Sequence, residues 1–363
     1  MTSVSLGLPG MRGSTLPPDP ARPGDSRLLD RFGRVATDLR VSLTDRCNLR
    51  CSYCMPEEGL DWMPAEQSLT DDEVVRLVRV AVHELGVDEV RFTGGEPLLR
   101  KGLETILAAT SQLRTRENRV VTTSLTTNAL GLQRRADALA GVGLQRINVS
   151  LDTLDPQRFL QITKRDRHGD VLAGLRAASA AGMSPIKINA VLLRGVNDDE
   201  APALLRWALQ LGYELRIIEQ MPLDAQGGWD RDVMVTADEV LAALGASFDL
   251  TPQGAMVRGS APAERFVVAA GADHPAGTVG IIASVTRPFC GACDRTRLTA
   301  DGQLRDCLFS RSETDLRSLL RGGASDEELA STWREAMWRK KAGHGIDDVG
   351  FIQPDRPMSA IGG

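Results

Sequence analysis

Histidine is scarce in this chain: four among 363 residues, and none within twenty-five positions of the first cysteine-rich stretch, Cys47–Cys54. A zinc site completed there by a nearby imidazole is therefore excluded. A strong charge of either sign is missing too. Lys and Arg number 43 against 48 Asp and Glu, a formal net charge of −5, which excludes a general electrostatic grip on nucleic acid or anionic lipid. No apolar run approaches the roughly 18 residues that a membrane span needs. The beginning of the chain lacks the basic start, apolar stretch and cleavage site of a signal peptide. Internal repeats are absent. The expected location is cytoplasmic, where six cysteines are better read as metal ligands than as disulfide halves. What is present is ordinary for a globular protein: 42% hydrophobic and 25% charged residues, with chain enough for a large core.

Residues 1–30 are rich in Gly, Pro, Ser and charge and read as a flexible tail. From there two hydrophobic periods alternate. LRVSLTD (39–45), EVRFTG (89–94), VTTSLTT (121–127), RINVSLD (146–152), IKINAVLL (186–193) and LRIIEQM (215–221) read as strands, each followed by helix or loop. The first helix, 69–86, carries a capping box in Thr70 and Glu73 and a stop at Gly86. Six strands joined this way imply parallel pairing through right-handed crossovers. Their faces are unequal. Arg40, Ser42 and Thr44 alternate with Val41 and Leu43; Arg91 and Thr93 flank Phe92; Asn148, Ser150 and Asp152 alternate with Val149 and Leu151; Lys187 and Asn189 flank Ile188; Arg216 lies between Leu215 and Ile217. Period two gathers each polar set on one side. Helices cover the other side, so the polar side faces the interior of a curved, open (βα)6 barrel. A basic lumen inside an acidic protein points to a small polyanion. The barrel core is expected over 31–235, a C-terminal α+β region over 236–341 with a hairpin turning at Asp301-Gly302, and a loop-like tail over 342–363.

Two cysteine motifs carry the chemistry. CNLRCSYC places Cys47, Cys51 and Cys54 directly after the first strand, and FCGACDRTRLTADGQLRDC places Cys290, Cys293 and Cys307 near the hairpin. Each is a set of three thiolates without a local fourth ligand. That suits a 4Fe–4S cluster with one iron open, or a zinc site with a distant fourth ligand. FTGGEPLL follows the second strand, and its Gly94-Gly95 pair marks a close backbone approach.

CNLRCSYC together with TGGEP resembles the radical S-adenosylmethionine (SAM) superfamily. The resemblance implies a partial (βα)6 TIM-like barrel with a first cluster held by Cys47, Cys51 and Cys54. Its open iron would bind the amino and carboxylate groups of SAM, whose reductive cleavage yields a 5′-deoxyadenosyl radical. It also implies SAM contacts at Tyr53, Gly95, Ser150 and Met221. The two motifs as a pair, the RTR after the second CxxC and the final Gly362-Gly363 are similar to the GTP 3′,8-cyclase family of molybdenum cofactor biosynthesis, from about Arg31 onward. That family implies a second 4Fe–4S cluster on Cys290, Cys293 and Cys307, with guanine at its open iron. It implies GTP contacts at Arg40, Arg91, Thr126, Lys187, Arg216, Arg295, Thr296 and Arg297. Abstraction of H3′ and addition of C3′ to C8 would follow. The tail, ending in Gly362 and Gly363, would thread back to the active site. Expected partners are GTP, an unidentified electron donor, a downstream cyclic pyranopterin monophosphate synthase and a second copy of the chain. One departure stands out: many relatives carry Lys where this chain has Glu89. The competing readings are another radical SAM enzyme, acting on a different nucleotide or on a peptide, and a non-catalytic metal-binding regulator.

Overall fold

Alternation of the two hydrophobic periods builds an alternation of strand and helix. The computed structural model describes residue 16 and residues 18–362. Its first six strands are β1 (Asp38–Ser42), β2 (Glu89–Thr93), β3 (Thr122–Thr127), β4 (Arg146–Ser150), β5 (Ile186–Val191) and β6 (Glu214–Ile218). They pair in parallel in chain order. Leu39, Val41, Val90, Phe92, Leu125, Ile147, Val149, Ile188, Leu215 and Ile217 point to the helical side, each at most 2% exposed. Burial of each such side chain contributes roughly 1.5–3 kcal/mol.

The first long helix, Asp71–Leu85, shows why the local signals were readable. Thr70 Oγ1 accepts from the Glu73 amide at 3.2 Å, and the Glu73 carboxylate accepts from the Thr70 amide at 2.8 Å. Gly86 ends the helix at φ +78°, a conformation that suits a residue without Cβ. Val74, Leu77, Val78, Ala81, Val82 and Leu85 form its buried stripe.

The remaining strands extend the same sheet. They are β7 (Leu250–Pro252), β8 (Glu264–Val268), β9 (Gly277–Ile282), β10 (Arg295–Leu298), β11 (Gln303–Arg305) and β12 (Thr314–Asp315). β9 pairs in parallel with β6 and β10 in parallel with β1, so the C-terminal region clasps both edges of the six-stranded core. Among the described residues the sheet has 12 strands in the order β12-β11-β10-β1-β2-β3-β4-β5-β6-β9-β8-β7. The β10–β11 hairpin turns at Asp301-Gly302, with Gly302 at φ +75°.

Two expectations change. Residues 18–30 are fastened rather than loose. The Asp19 amide donates to Glu335 at 3.0 Å, Arg22 pairs with Glu335 at 2.6 Å, and Leu28 is fully buried. Residues 1–15 and 17 of the expected tail lie outside the described residues. The C-terminal stretch also contains a short helix, Met358–Ile361, whose first amide donates to Leu223 O at 2.9 Å. A single turn has no periodicity to betray it.

Candidate active site

The first cysteine site is built by two strand ends that zip together. The Gly95 amide donates to Thr44 O and the Glu96 amide to Arg46 O, both at 2.7 Å. A Cβ on Gly95 would lie 2.3 Å from Arg46 O, and one on Gly94 would lie 2.5 Å from Thr44 O. Glycine is thus required by contact with the cysteine loop itself. Within the loop, the amides of Cys54 and Met55 both donate to Cys51 O. Burial pushes the Cys47 thiol up to about 11 and the Cys54 thiol up to about 12, and drives Cys51 well above the ordinary value. Cys47 has the carboxylate of Glu96 near it, and Cys51 that of Asp152. Tyr53 donates its hydroxyl proton to Asp152 Oδ2 at 2.8 Å, and burial pushes Asp152 up to about 6. Asn128 Nδ2 lies 3.9 Å from Cys47 Sγ, and the Tyr53 side chain is a hydrogen-bonding neighbour of Cys51.

The second site is assembled from a hairpin. Cys290 and Cys293 flank a short turn before β10, and antiparallel pairing of Arg297 with Arg305 brings Cys307 back alongside them. Cations crowd this site. Lys340 Nζ donates to Cys293 Sγ at 3.3 Å and to Arg295 O at 2.8 Å. Arg295 Nη1 is 3.6 Å from the same sulfur, and Arg34 Nη1 donates to Cys290 O at 2.6 Å. Burial raises the Cys290 and Cys307 thiols. It opposes the Cys293 thiolate as well, but Lys340 and Arg295 outweigh it and bring this thiol below the ordinary value.

Between the sites lies the basic lumen. Register sets Arg297, Arg40 and Arg91 side by side, with Arg295, Asp38 and Glu89 side by side two residues earlier in each strand. Arg40, Arg91 and Arg295 lie within 4.0 Å of Asp38 Oδ2, at 3.7, 4.0 and 3.7 Å. One carboxylate thus serves three guanidinium groups, and the Nε atoms of all three arginines are buried without a hydrogen-bond partner. Burial holds Arg40 well below its ordinary value, and Arg91 adds to this. Orphaned, crowded cations of this kind call for an anion. Glu89 does not open to the lumen as a free charge; it pairs with Arg91 at 2.8 Å and Arg146 at 3.1 Å.

A single cavity, with an empty volume of about 1890 Å³ including its open mouth, is lined by all six cysteines. Arg40, Arg91, Thr126, Arg216, Arg295 and Arg297 line it as well, together with Tyr53, Gly95, Ser150 and Met221. Two expected contacts do not. Lys187 is absent from the lining, and burial followed by the Arg216 charge lowers it to about 8. Thr296 points to the opposite face of β10, is fully buried, and accepts from Trp333 Nε1 at 2.9 Å. Period two makes this unavoidable once Arg295 and Arg297 face inward. The tail does reach the site. Arg297 Nη1 donates to Gly362 O at 2.5 Å and Ser42 Oγ to Ile361 O at 2.7 Å. A Cβ on Gly362 would fall 2.1 Å from Ser42 Oγ. Gly363 lies outside the described residues. Sequence reasoning missed Lys340 and Asn128.

The donor sets fit iron–sulfur clusters. Each is three free thiols facing a common cavity, the soft ligation that such clusters take. Among the described residues no three His, Cys, Asp or Glu side chains are placed to hold one metal ion; a cluster of four irons spaces its thiolates more widely than a single ion does. No helix of the described residues is long and apolar enough to cross a membrane.

Comparison with known proteins agrees with this geometry. Residues 41–208 match the Radical SAM superfamily and residues 213–346 match Molybdenum Cofactor Synthesis C. The chain is 62% identical over 343 residues to the GTP 3′,8-cyclase of Streptomyces coelicolor, covering 94% of this chain and 98% of that protein. It is 59% identical to the GTP 3′,8-cyclase of Mycolicibacterium smegmatis, with all of both chains covered. Among solved structures, Streptococcus suis SuiB shares the fold at a TM-score of 0.52 and 14% identity, covering 82% of this chain and 68% of that one.

Proposed function

The chain belongs to the GTP 3′,8-cyclase family of radical SAM enzymes, and we propose that its single cavity holds SAM and GTP between two 4Fe–4S clusters. It converts GTP to 3′,8-cyclo-7,8-dihydro-GTP, an isomer of the substrate, in the first step of molybdenum cofactor biosynthesis. The one observation that carries the residue assignment is the shared lining: both cysteine triads and five arginines face the same space.

Cys47, Cys51 and Cys54 hold the first cluster, and Cys290, Cys293 and Cys307 hold the second. Bound SAM and the first cluster supply a 5′-deoxyadenosyl radical; the chain's own residues position its target. Tyr53, locked by Asp152, together with Gly95, Ser150 and Met221, forms the SAM side. Arg40, Arg91, Arg216, Arg295 and Arg297 grip the triphosphate, and Thr126 adds a hydroxyl contact. Charge-assisted hydrogen bonds of this kind contribute roughly 1.5–3 kcal/mol each. Because Arg40, Arg91 and Arg295 already stand around Asp38 and Arg297 lies in register beside Arg40, the anion meets them without large reorganisation. Arg297 is held by the Gly362 carbonyl, so the tail positions one of the phosphate-binding groups. Residues 31–235 form the SAM-binding core, 236–341 bring the second cluster, and 342–363 complete the wall.

The enzyme works in the cytoplasm as a homodimer, draws electrons from a separate donor, and passes its product to a cyclic pyranopterin monophosphate synthase. Oxygen-free purification tests the cluster assignment: a brown protein with about eight irons per chain fits two cubanes, and a colourless zinc protein contradicts it. Appending a bulky C-terminal tag should abolish turnover with the iron content intact; unchanged turnover would remove the tail from the site.

A further inference from the structure

Lys340 is a buried lysine that neither substrate requires. It follows the helix Asp326–Trp338, is 4% exposed, and spends its three donors on the second cysteine site: Cys293 Sγ at 3.3 Å, Cys293 O at 3.4 Å and Arg295 O at 2.8 Å. A lysine held this deep needs a strong anionic partner. The nearest sulfur is that partner. At the first site no cation donates to a thiol among the described residues: Asn128 at 3.9 Å is neutral and remote, Arg50 donates to the Cys47 carbonyl rather than to its sulfur, and the carboxylates of Glu96 and Asp152 oppose thiolate charge.

We propose that Lys340 is a positioning residue that raises the reduction potential of the second cluster above that of the first through its ammonium–Cys293 contact. This rests on the reading that Cys290, Cys293 and Cys307 hold a 4Fe–4S cluster. One-electron reduction takes the core from 2+ to 1+, so the core with its three thiolates goes from −1 to −2, and no proton is needed. A fixed cation against one sulfur stabilises the more negative state. Hydrogen bonds to cluster sulfurs act in the same direction. Arg295 lies near the same sulfur, but it also faces the cavity and serves substrate; Lys340 does not line that cavity, so its effect is present with or without GTP.

The test uses full-length protein with both clusters loaded. Wild type, Lys340→Met, Lys340→Gln and Lys340→Arg are titrated anaerobically with dithionite and redox mediators, following both clusters by low-temperature EPR. Variants lacking one cysteine triad assign the signals. The second cluster should titrate at the higher potential in the wild type. Lys340→Met should shift it to lower potential with the first cluster unmoved, Lys340→Gln should fall between, and Lys340→Arg should restore it. An unmoved potential in Lys340→Met, an equal shift of both clusters, or loss of the second cluster from both neutral variants would overturn the proposal. Wild-type protein with one EPR-active cluster and about four irons would overturn the cluster reading beneath it, a separate result.

Discussion

The two cysteine sites have the same donor set and a different balance of charge around it. The first is confined to one loop, its thiols are pushed up by burial, and its charged neighbours are the carboxylates Glu96 and Asp152 and one cation, Arg50, which donates to the Cys47 carbonyl and to no thiol. The second is split across a hairpin, and Lys340, Arg295 and Arg34 press on it. Under the proposed placement of SAM at the first site and GTP at the second, ligand charge accounts for the contrast. SAM brings a sulfonium cation, which acidic neighbours tolerate, whereas GTP brings about four negative charges that need a cationic wall. Two like sets of thiols are thus distinguished by the charges set around them.

The contrast can be broken most severely at the ligands. Cys51→Ser should abolish reductive cleavage of SAM while about four irons remain on the second triad. Cys293→Ser should do the reverse, keeping 5′-deoxyadenosine formation and losing the cyclised nucleotide. If both variants lose SAM cleavage alike, the two sites are not separate in function. A smaller effect is expected from the tail. Gly362→Leu places a Cβ where Ser42 Oγ already stands, 2.1 Å away; turnover should fall roughly 100-fold with iron content unchanged. Next comes the cationic wall. Arg295→Ala should weaken GTP binding about tenfold or more, on the order of 1.5–3 kcal/mol, as read by equilibrium binding. SAM affinity should not follow it.

The smallest effects sharpen the boundary of the site. Thr296→Val should leave GTP affinity unchanged and lower stability by about 1 kcal/mol in denaturant unfolding, because the Trp333 indole loses its acceptor. Lys187→Met should weaken GTP binding less than Arg216→Met does, since only Arg216 lines the cavity.

Much of this site was legible because its signals are local. Cysteine spacing, a strand's period of two and the capping box of the first helix depend on neighbours within a few residues. The inward set of Arg40, Arg91 and Arg216 followed from alternation alone. Thr296 was expected from the family resemblance alongside Arg295 and Arg297, although alternation puts this middle residue on the other face. Lys340 was illegible: in a KK dipeptide nothing marks which lysine will be buried, and its partner Cys293 is 47 positions away. The glycines of TGGEP were located correctly, yet the shown approach is to the carbonyls of the cysteine loop, a contact set by two strand ends meeting in space. The fastening of residues 18–30 is equally nonlocal, depending on Glu335 far along the chain.

In the proposed reaction one cavity brings a SAM-derived radical to the ribose of GTP. Because the product is an isomer of GTP, the decisive readout is the fate of one hydrogen rather than the mass of the nucleotide. Protein with both clusters loaded is incubated without oxygen with SAM, dithionite and GTP deuterated at C3′, and the 5′-deoxyadenosine formed is analysed by mass spectrometry. Deuterium in the 5′-deoxyadenosine, alongside a nucleotide of new retention time, is the expected result. Unlabelled 5′-deoxyadenosine with intact GTP would contradict the account.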